Sequence, residues 1–127
     1  MLNYTKAFSS FSVNDLDAAM AFYKDILGIQ VSKEEMGNIA LHIKGNENIM
    51  VYPKPDHTPA TFTVLNFLVP DLEKTVDDLA AKGIKFEHYD NQYIKTDNKG
   101  IARGNGGPSI AWFKDPAGNF ISVIEDK

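Results

Sequence analysis

Few residues in this sequence could do chemistry. The three histidines, His42, His57 and His88, are far apart, and no two have the i, i+4 spacing with which one helix holds a metal ion. A histidine acts as a base, a metal ligand or a packed polar side chain. We interpret all three as structural, because functional histidines are a minority.

Other nucleophiles and acid/base pairs are not evident. The chain has no cysteine, which excludes disulfides, thiolate nucleophiles and cysteine-ligated metals. Ser109 and Ser122 have no neighbouring histidine and aspartate that would activate a hydroxyl. No two carboxylates stand out as a general acid and base. The sequence therefore identifies no catalytic residue, and it favours, without deciding, a protein that is not an enzyme.

The only arginine, Arg103, lies in the glycine-rich segment GIARGNGGP. A guanidinium there could hold a ligand carboxylate or phosphate through two hydrogen bonds. The segment is not a P-loop, because it lacks the Lys-Ser/Thr ending. We keep Arg103 as a candidate ligand-binding residue, and favour the alternative of a solvated side chain on a surface loop.

Composition narrows the class of protein. The 127 residues fit one domain, and 43% of them are hydrophobic, which is enough for a core. A net charge of −4 and scattered lysines argue against nucleic-acid and membrane partners. No stretch reaches the roughly 20 apolar residues of a membrane helix, and no secretory signal is visible. We expect a soluble, cytoplasmic protein.

The chain is organised as a doubled unit that must position any site. The stretch FSVNDLDAAMAFYKDILGI begins at Phe11, and a second copy of its pattern, FLVPDLEKTVDDLAAKGIKF, begins at Phe67, 56 residues later. In each copy a β-type alternation ends at an acidic residue, and a helical period follows at once. Asp15 (or Asn14) and Asp71 can cap these helices, and a glycine ends each one.

The remaining segments read as short strands joined by turns. Residues 53–59, PKPDHTP, break any strand ladder and form a linker between module 1–53 and module 60–127. Asp115-Pro116-Ala117-Gly118 is a strong turn signal that predicts a closing hairpin. The predicted strands are 4–13, 29–33, 39–44, 49–52, 61–69, 84–89, 109–113 and 119–124, with a further short one around 93–95.

These motifs together resemble the vicinal oxygen chelate superfamily. The Asp-Leu helix start, Phe22-Tyr23, Leu27-Gly28 and the terminal FKDPAGN occur in the order typical of that family. Its members include glyoxalase I, extradiol dioxygenases, fosfomycin-modifying enzymes and bleomycin-binding resistance proteins. The resemblance implies an α+β fold in which two βαβββ modules form a curled mixed sheet around an inner cleft, commonly in a homodimer.

The resemblance also implies where a metal ion would bind. Metal-using members take one His, Gln or Glu ligand from each of four strands. The matching positions of this sequence are Phe8, Met50, Val64 and Ser122. These side chains do not suit a divalent cation, which prefers imidazole nitrogen or carboxylate oxygen. We therefore predict no metal and no other cofactor.

The favoured hypothesis is a metal-free protein that binds a small organic molecule in an apolar cleft, as the drug-sequestering resistance proteins do. One alternative is a metal-dependent lyase or isomerase of the glyoxalase I type, whose ligands would be other residues. Another is a structural or regulatory module without a ligand. The predicted cleft residues are Phe8, Ser10, Met50, Val64, Asn66, Trp112, Ser122 and Arg103.

Overall fold

The computed structural model describes residues 1–104 and 107–126, so Asn105, Gly106 and Lys127 lie outside the described residues. The chain divides into two compact units, residues 1–58 and 59–127. Each unit contains one four-stranded mixed sheet and the helical segment that follows its first strand. Within the described parts of the chain, no helix is long and apolar enough to cross a membrane.

The first unit has the predicted βαβββ order. Its sheet has the strand order β1-β4-β3-β2, with β1 parallel to β4 and the other neighbours antiparallel. Its elements are β1 (Ser10–Val13), α1 (Leu16–Ala21), a π-helical turn (Phe22–Ile26), β2 (Gln30–Lys33), β3 (Ile39–His42) and β4 (Ile49–Pro53).

The second unit repeats this topology. Its sheet order is β5-β8-β7-β6, again with the first strand parallel to the last. Its elements are β5 (Thr63–Val69), α2 (Leu72–Ala81), β6 (Ile101–Ala102), β7 (Ile110–Lys114) and β8 (Phe120–Glu125). The predicted α+β fold of two βαβββ modules is confirmed.

Both helices begin at the positions predicted from the acidic residues that cap them. The side chain of Asp15 accepts a hydrogen bond from the Ala18 N–H, and that of Asp71 accepts one from the Lys74 N–H, each at 3.1 Å. Each bond satisfies one of the amide groups that the first helical turn leaves without a partner. The first helix does not continue regularly, because its last turn widens into the π-helical segment and buries both Phe22 and Tyr23.

The core of each unit lies on one face of its sheet. This face carries the strand positions that were predicted to face the helix. Phe11 and Val13 of β1 are buried, whereas Ser10 on the opposite face is exposed. In the second unit Leu65 is buried and Asn66 is exposed. Period-two alternation therefore assigned the faces correctly.

The first strand is shorter than predicted. It begins at Ser10 rather than Tyr4, because its neighbour β4 begins only at Ile49, and the Met50 N–H to Ser9 O bond is the last one toward the N-terminus. Phe8 therefore precedes the strand. Likewise β5 begins at Thr63, which is opposite the first residue of β8, rather than at Thr61.

The edge of the second sheet differs most from the prediction. Residues 84–89 form no ladder, and only Phe86 bridges to Phe113 of β7. Further along the same edge of β7, Ile101 and Ala102 pair with Ala111 and Ile110. The edge strand is thus made of two short pieces, because the chain leaves the edge after Glu87 and returns at Ile101.

The excursion between these pieces, residues 88–100, is a loop with its own hydrogen bonds. Asp90 bridges to Lys95, and the Thr96 N–H donates to the Tyr89 carbonyl at 2.9 Å. The predicted strand around 93–95 is only this single bridge. Gly100 ends the loop with φ of +86°, beside Phe86, so the two halves of the edge meet at a residue without a side chain.

Candidate functional site

The open face of the second sheet, which is the side opposite Leu65 and Phe113, carries three of the predicted cleft residues in one row. Asn66 of β5 is the Cα partner of Ser122 in β8, and Ser122 is the partner of Trp112 in β7. Partners across a ladder point to the same face. These three side chains therefore lie side by side on adjacent strands, although the sequence separates them by up to 56 residues.

Ser122 and Asn66 form a hydrogen-bonded pair. The Ser122 hydroxyl donates to Asn66 Oδ1 at 2.5 Å, and Ser122 itself is fully buried. The hydroxyl that occupies a metal-ligand position of the resembled family is therefore already engaged by an amide oxygen. Val64 is half-buried on the same strand, next to the point where the pairing of β5 with β8 shifts between Thr63 and Leu65.

Trp112 stands between two cavities. The loop of residues 88–100 brings Tyr89 against it, with ring centroids 5.6 Å apart in an edge-to-face arrangement. Burial, and to a lesser extent the charge of Glu87, raise the pKa of Tyr89, so its hydroxyl is neutral at physiological pH. The indole is held from one side and is half-buried, which leaves ring surface for a ligand.

The larger cavity has a volume of about 580 Å³. Residues 91–95 form one wall, Ala102, Arg103, Gly104 and Pro108 form another, and Ile110 and Trp112 form the floor. A volume of this size is typical of small-molecule pockets. The wall of residues 91–95 exists because the edge strand is interrupted. Asn91 shapes this wall by accepting hydrogen bonds from the N–H groups of Tyr93 and Ile94.

Arg103 borders this cavity but is engaged in ion pairs. Its guanidinium lies 2.8 Å from a Glu73 carboxylate oxygen of α2 and 3.3 Å from Asp97 Oδ2. Partial desolvation acts to raise the pKa of Asp97, but the N–H groups of Ile101 and Lys99 and the Arg103 charge outweigh it, so the pKa is below its usual value. The Arg103 guanidinium therefore links the chain segment next to β6 to helix α2. A ligand carboxylate would have to compete with the Glu73 and Asp97 carboxylates for this guanidinium.

The second cavity, of about 390 Å³, lies on the other side of Trp112. Its walls are mostly apolar or aromatic and come from Thr61, Phe62, Thr63, Tyr89, Ile94, Trp112 and Phe120. Lys114, the residue on β7 that pairs with Phe120, places its ammonium 5.1 Å from the Phe120 ring centroid. Together the two cavities surround Trp112 mostly with aromatic, apolar and amide groups, and the charged side chains at the larger cavity are Lys95 and Arg103.

The first unit places its predicted cleft residues together as well. Ser10 and Met50 are Cα partners, and Met50 and Phe8 line a cavity of about 240 Å³. Phe8 is 62% exposed. The rim of this cavity carries Lys6 and Glu47, whose charged groups are 3.6 Å apart.

The four positions that the resemblance predicts as metal-ligand positions carry side chains that do not fit a metal ion. Phe8 and Val64 have no donor atom, Met50 offers only a thioether, and the Ser122 hydroxyl donates to Asn66. Among residues 1–104 and 107–126, no group of three His, Asp or Glu side chains is close enough to hold an ion. No chemical step can therefore be derived through a metal at these positions.

Two of the three histidines are hydrogen-bonded to serine side chains, and neither belongs to the unit that carries Asn66, Ser122 and Trp112. His42 Nε2 is 2.8 Å from the Ser32 hydroxyl, and His57 Nδ1 is 2.7 Å from the Ser12 hydroxyl, both within the first unit. His88 is exposed in the loop of the second unit. Their hydrogen bonds to serine are consistent with the structural interpretation made from the sequence.

Comparison with known proteins places this architecture in a family. The model of the Glyoxalase/Bleomycin resistance protein/Dioxygenase superfamily matches residues 3–123. The chain belongs to that superfamily. The resemblance inferred from the sequence is thereby confirmed. One relative, the uncharacterized protein YraH of Bacillus subtilis (strain 168), is 30% identical over 128 residues, covering 89% of this chain and 91% of YraH.

Solved structures show that this glyoxalase-superfamily fold is shared by proteins with different roles. TnmS3, an antibiotic binding protein from Streptomyces sp. CB03234, aligns with a TM-score of 0.69 at 19% identity, over 99% of this chain and 100% of its own. Lactoylglutathione lyase from Agrobacterium tumefaciens aligns with a TM-score of 0.68 at 21% identity, over 97% and 94%. At such identities the likeness establishes the fold alone.

Sequence reasoning missed the loop wall of the larger cavity. Residues 90–108 read as irregular, and Asn91, Ile94 and Ala102 were not singled out. One local signal was available, because an asparagine side chain in a loop commonly accepts a hydrogen bond from the backbone N–H two residues further on, as Asn91 does. The pairing of Ile101 with Ala111 had no such signal.

Proposed function

We propose that this protein binds a small, flat, largely apolar organic molecule at Trp112, on the open face of its second sheet, without using a metal ion. The observation that carries the proposal is the combination of two cavities around one half-buried indole with metal-ligand positions occupied by Phe8, Met50, Val64 and Ser122. An aromatic wall favours stacking of planar rings. The role we propose is sequestration of that molecule, and the structurally similar TnmS3, an antibiotic binding protein, supports a binding role for this fold.

The cavity chemistry also supports binding rather than catalysis. The groups near Trp112 are aromatic rings, amides and hydroxyls, together with Lys95 and with Arg103, which is paired with Glu73 and Asp97. None of the described residues at this site joins a perturbed base to an activated nucleophile. We further propose that the chain works as a homodimer in the cytoplasm, and light scattering on the purified protein tests the dimer.

Trp112 is the only tryptophan in the chain, so its fluorescence reports on the site directly. Purified protein is titrated with a panel of planar aromatic antibiotics and dyes, and chromatography checks that the compounds are unchanged after incubation. We expect saturable quenching by at least one compound. Trp112→Ala should weaken its binding, measured by calorimetry, by about 10-fold, because it removes the stacking surface.

The matched control is Tyr4→Ala, which removes an aromatic side chain that is 67% exposed in the first unit and lines neither of the two cavities. This variant should bind as tightly as the unmodified protein. Equal affinity of Trp112→Ala, or the absence of saturable quenching across the panel, would contradict the proposal. Stoichiometric metal in protein purified without chelator, or a higher melting temperature with Zn²⁺, Ni²⁺, Mn²⁺ or Fe²⁺, would contradict the metal-free part.

A further inference from the structure

The hydrogen bond between Ser122 and Asn66 fixes the orientation of the Asn66 amide. Ser122 is fully buried, so its hydroxyl proton needs an acceptor within the protein. Within the described residues that acceptor is Asn66 Oδ1, at 2.5 Å. If the amide were flipped, its N–H would donate to Ser122 Oγ, and the buried hydroxyl proton would be left without an acceptor among the described residues. The oxygen of Asn66 therefore faces Ser122.

The amide nitrogen of Asn66 consequently points away from Ser122. Asn66 is exposed on the open face of the sheet, and its Nδ2 has no hydrogen-bond partner among the described residues. Nδ2 carries two N–H donors and cannot accept a hydrogen bond. The open face thus presents an oriented donor whose direction is set by a buried hydroxyl.

The spacing between the strands that carry Asn66 and Trp112 sets the length of a ligand that could reach both residues. Asn66, Ser122 and Trp112 occupy one row across β5, β8 and β7. Neighbouring strands are spaced by about 4.8 Å, so Asn66 and Trp112 are about 10 Å apart along the row. The residue between them, Ser122, is fully buried, so its side chain does not reach the exposed surface of the row. A flat molecule that contacts both of its neighbours therefore passes over Ser122 without touching it.

From this arrangement we infer the chemical class of the ligand: a flat aromatic molecule that stacks on Trp112 at one end and carries a hydrogen-bond acceptor, such as a carbonyl oxygen, at the other end, where Asn66 Nδ2 donates to it. This inference rests on the proposed function and deepens it. An amine or other N–H donor at that end is disfavoured, because it would face the two N–H groups of Asn66. The Ser122–Asn66 pair is thus the specificity determinant of the site.

The substitution Asn66→Asp isolates the donor. Aspartate keeps the shape and the oxygen that accepts from Ser122, and it loses both N–H groups. The probes are 2-acetylnaphthalene and 2-ethylnaphthalene, which have the same ring system and nearly the same shape but differ in the carbonyl oxygen. Equilibrium dialysis measures the affinity of each. Asn98→Asp is the charge-matched control, because Asn98 is exposed in the same unit and borders neither cavity.

The unmodified protein and Asn98→Asp should bind the acetyl compound about 5- to 10-fold more tightly than the ethyl compound, as expected for one hydrogen bond. Asn66→Asp should abolish this preference and leave the affinity for the ethyl compound within about twofold. Circular dichroism confirms that each variant is folded. Ser122→Ala, which releases the amide, should reduce the preference and serves as the second variant.

Three results would overturn the inference: no preference in the unmodified protein, the same preference in Asn66→Asp, or no binding of either naphthalene. The failure of the proposed function is distinguishable from these, because the fluorescence panel and Trp112→Ala decide it without reference to Asn66. If both naphthalenes bind in a way that depends on Trp112 but not on Asn66, the proposed function stands. Only the requirement for a hydrogen-bond acceptor in the ligand is then rejected.

Discussion

Gly100→Ala tests whether the interrupted edge of the second sheet depends on close contact between its two halves. Gly100 has φ of +86°, and an added Cβ would lie 2.8 Å from Phe86 Cβ and 3.1 Å from the Glu87 carbonyl oxygen. The left-handed conformation costs an alanine about 1–2 kcal/mol. Forcing a methyl group against packed atoms costs about 1–3 kcal/mol more. The free energy of unfolding should therefore fall by about 2–5 kcal/mol in total.

Gly37 provides a matched control in the first unit. Both glycines end the same kind of turn: the Gly37 N–H donates to the Glu34 carbonyl at 3.2 Å, and the Gly100 N–H donates to the Asp97 carbonyl at 3.0 Å. Gly37 has φ of +85°, but an added Cβ would meet nothing within 4 Å. Gly37→Ala should therefore lose only the conformational part, about 1–2 kcal/mol.

The assay is urea unfolding followed by the fluorescence of Trp112, which lies in the second unit, and by circular dichroism for both units. Gly83→Ala, with φ of +96° and open space around the position of the added Cβ, is the control within the second unit. The difference between Gly100→Ala and Gly83→Ala isolates the steric part. If the two variants unfold at the same urea concentration, the close approach of Phe86 is not a constraint and the reasoning fails. Gly100→Ala should also lower affinity for any compound that quenches Trp112, because the edge supports the cavity wall.

Two further predictions concern single carboxylates. Asp71→Ala should lower the free energy of unfolding by about 1 kcal/mol, because the Lys74 N–H loses its side-chain acceptor; thermal unfolding checks this, and Asp71→Ser should recover most of the loss. Asp97→Asn should lower stability at neutral pH, since the lowered pKa means that the fold favours the ionised form. That contribution is present above the usual value of 3.8 and disappears as the pH falls through the lower folded value, so the stabilities of variant and parent should converge in acid. A difference that does not change with pH in urea titrations would refute this assignment.

Some features of the fold could be read from the sequence because they depend on neighbours in the chain. The Asp15 and Asp71 caps, the glycine terminators and the Asp115 turn involve partners within a few residues. In that turn Asp115 Oδ1 accepts from the Ala117 and Asn119 N–H groups, and Gly118 has the positive φ that the turn motif predicted, +85°. Strand faces were also predictable, because burial of one face imposes period-two alternation.

Strand limits were less predictable, because a strand extends only as far as its partner does. Phe8 alternates correctly with Ser10 but has no ladder, since β4 begins at Ile49. The segment of residues 84–89 has suitable strand residues, yet it shares its edge of β7 with Ile101 and Ala102. Competition for one edge is a property of the sheet, and composition does not encode it locally.

By itself, the sequence determined that this protein is built from two βαβββ units, which follows from residue types at fixed spacings. Through the family resemblance it also led to the prediction that the four metal-ligand positions carry Phe8, Met50, Val64 and Ser122. Only the tertiary structure brought Asn66 beside Ser122 and Trp112, oriented the Asn66 amide, and set the loop of residues 88–100 beside the indole. These relations join strands that are distant in the chain, and their geometry exists only after the ladder of the second sheet has formed.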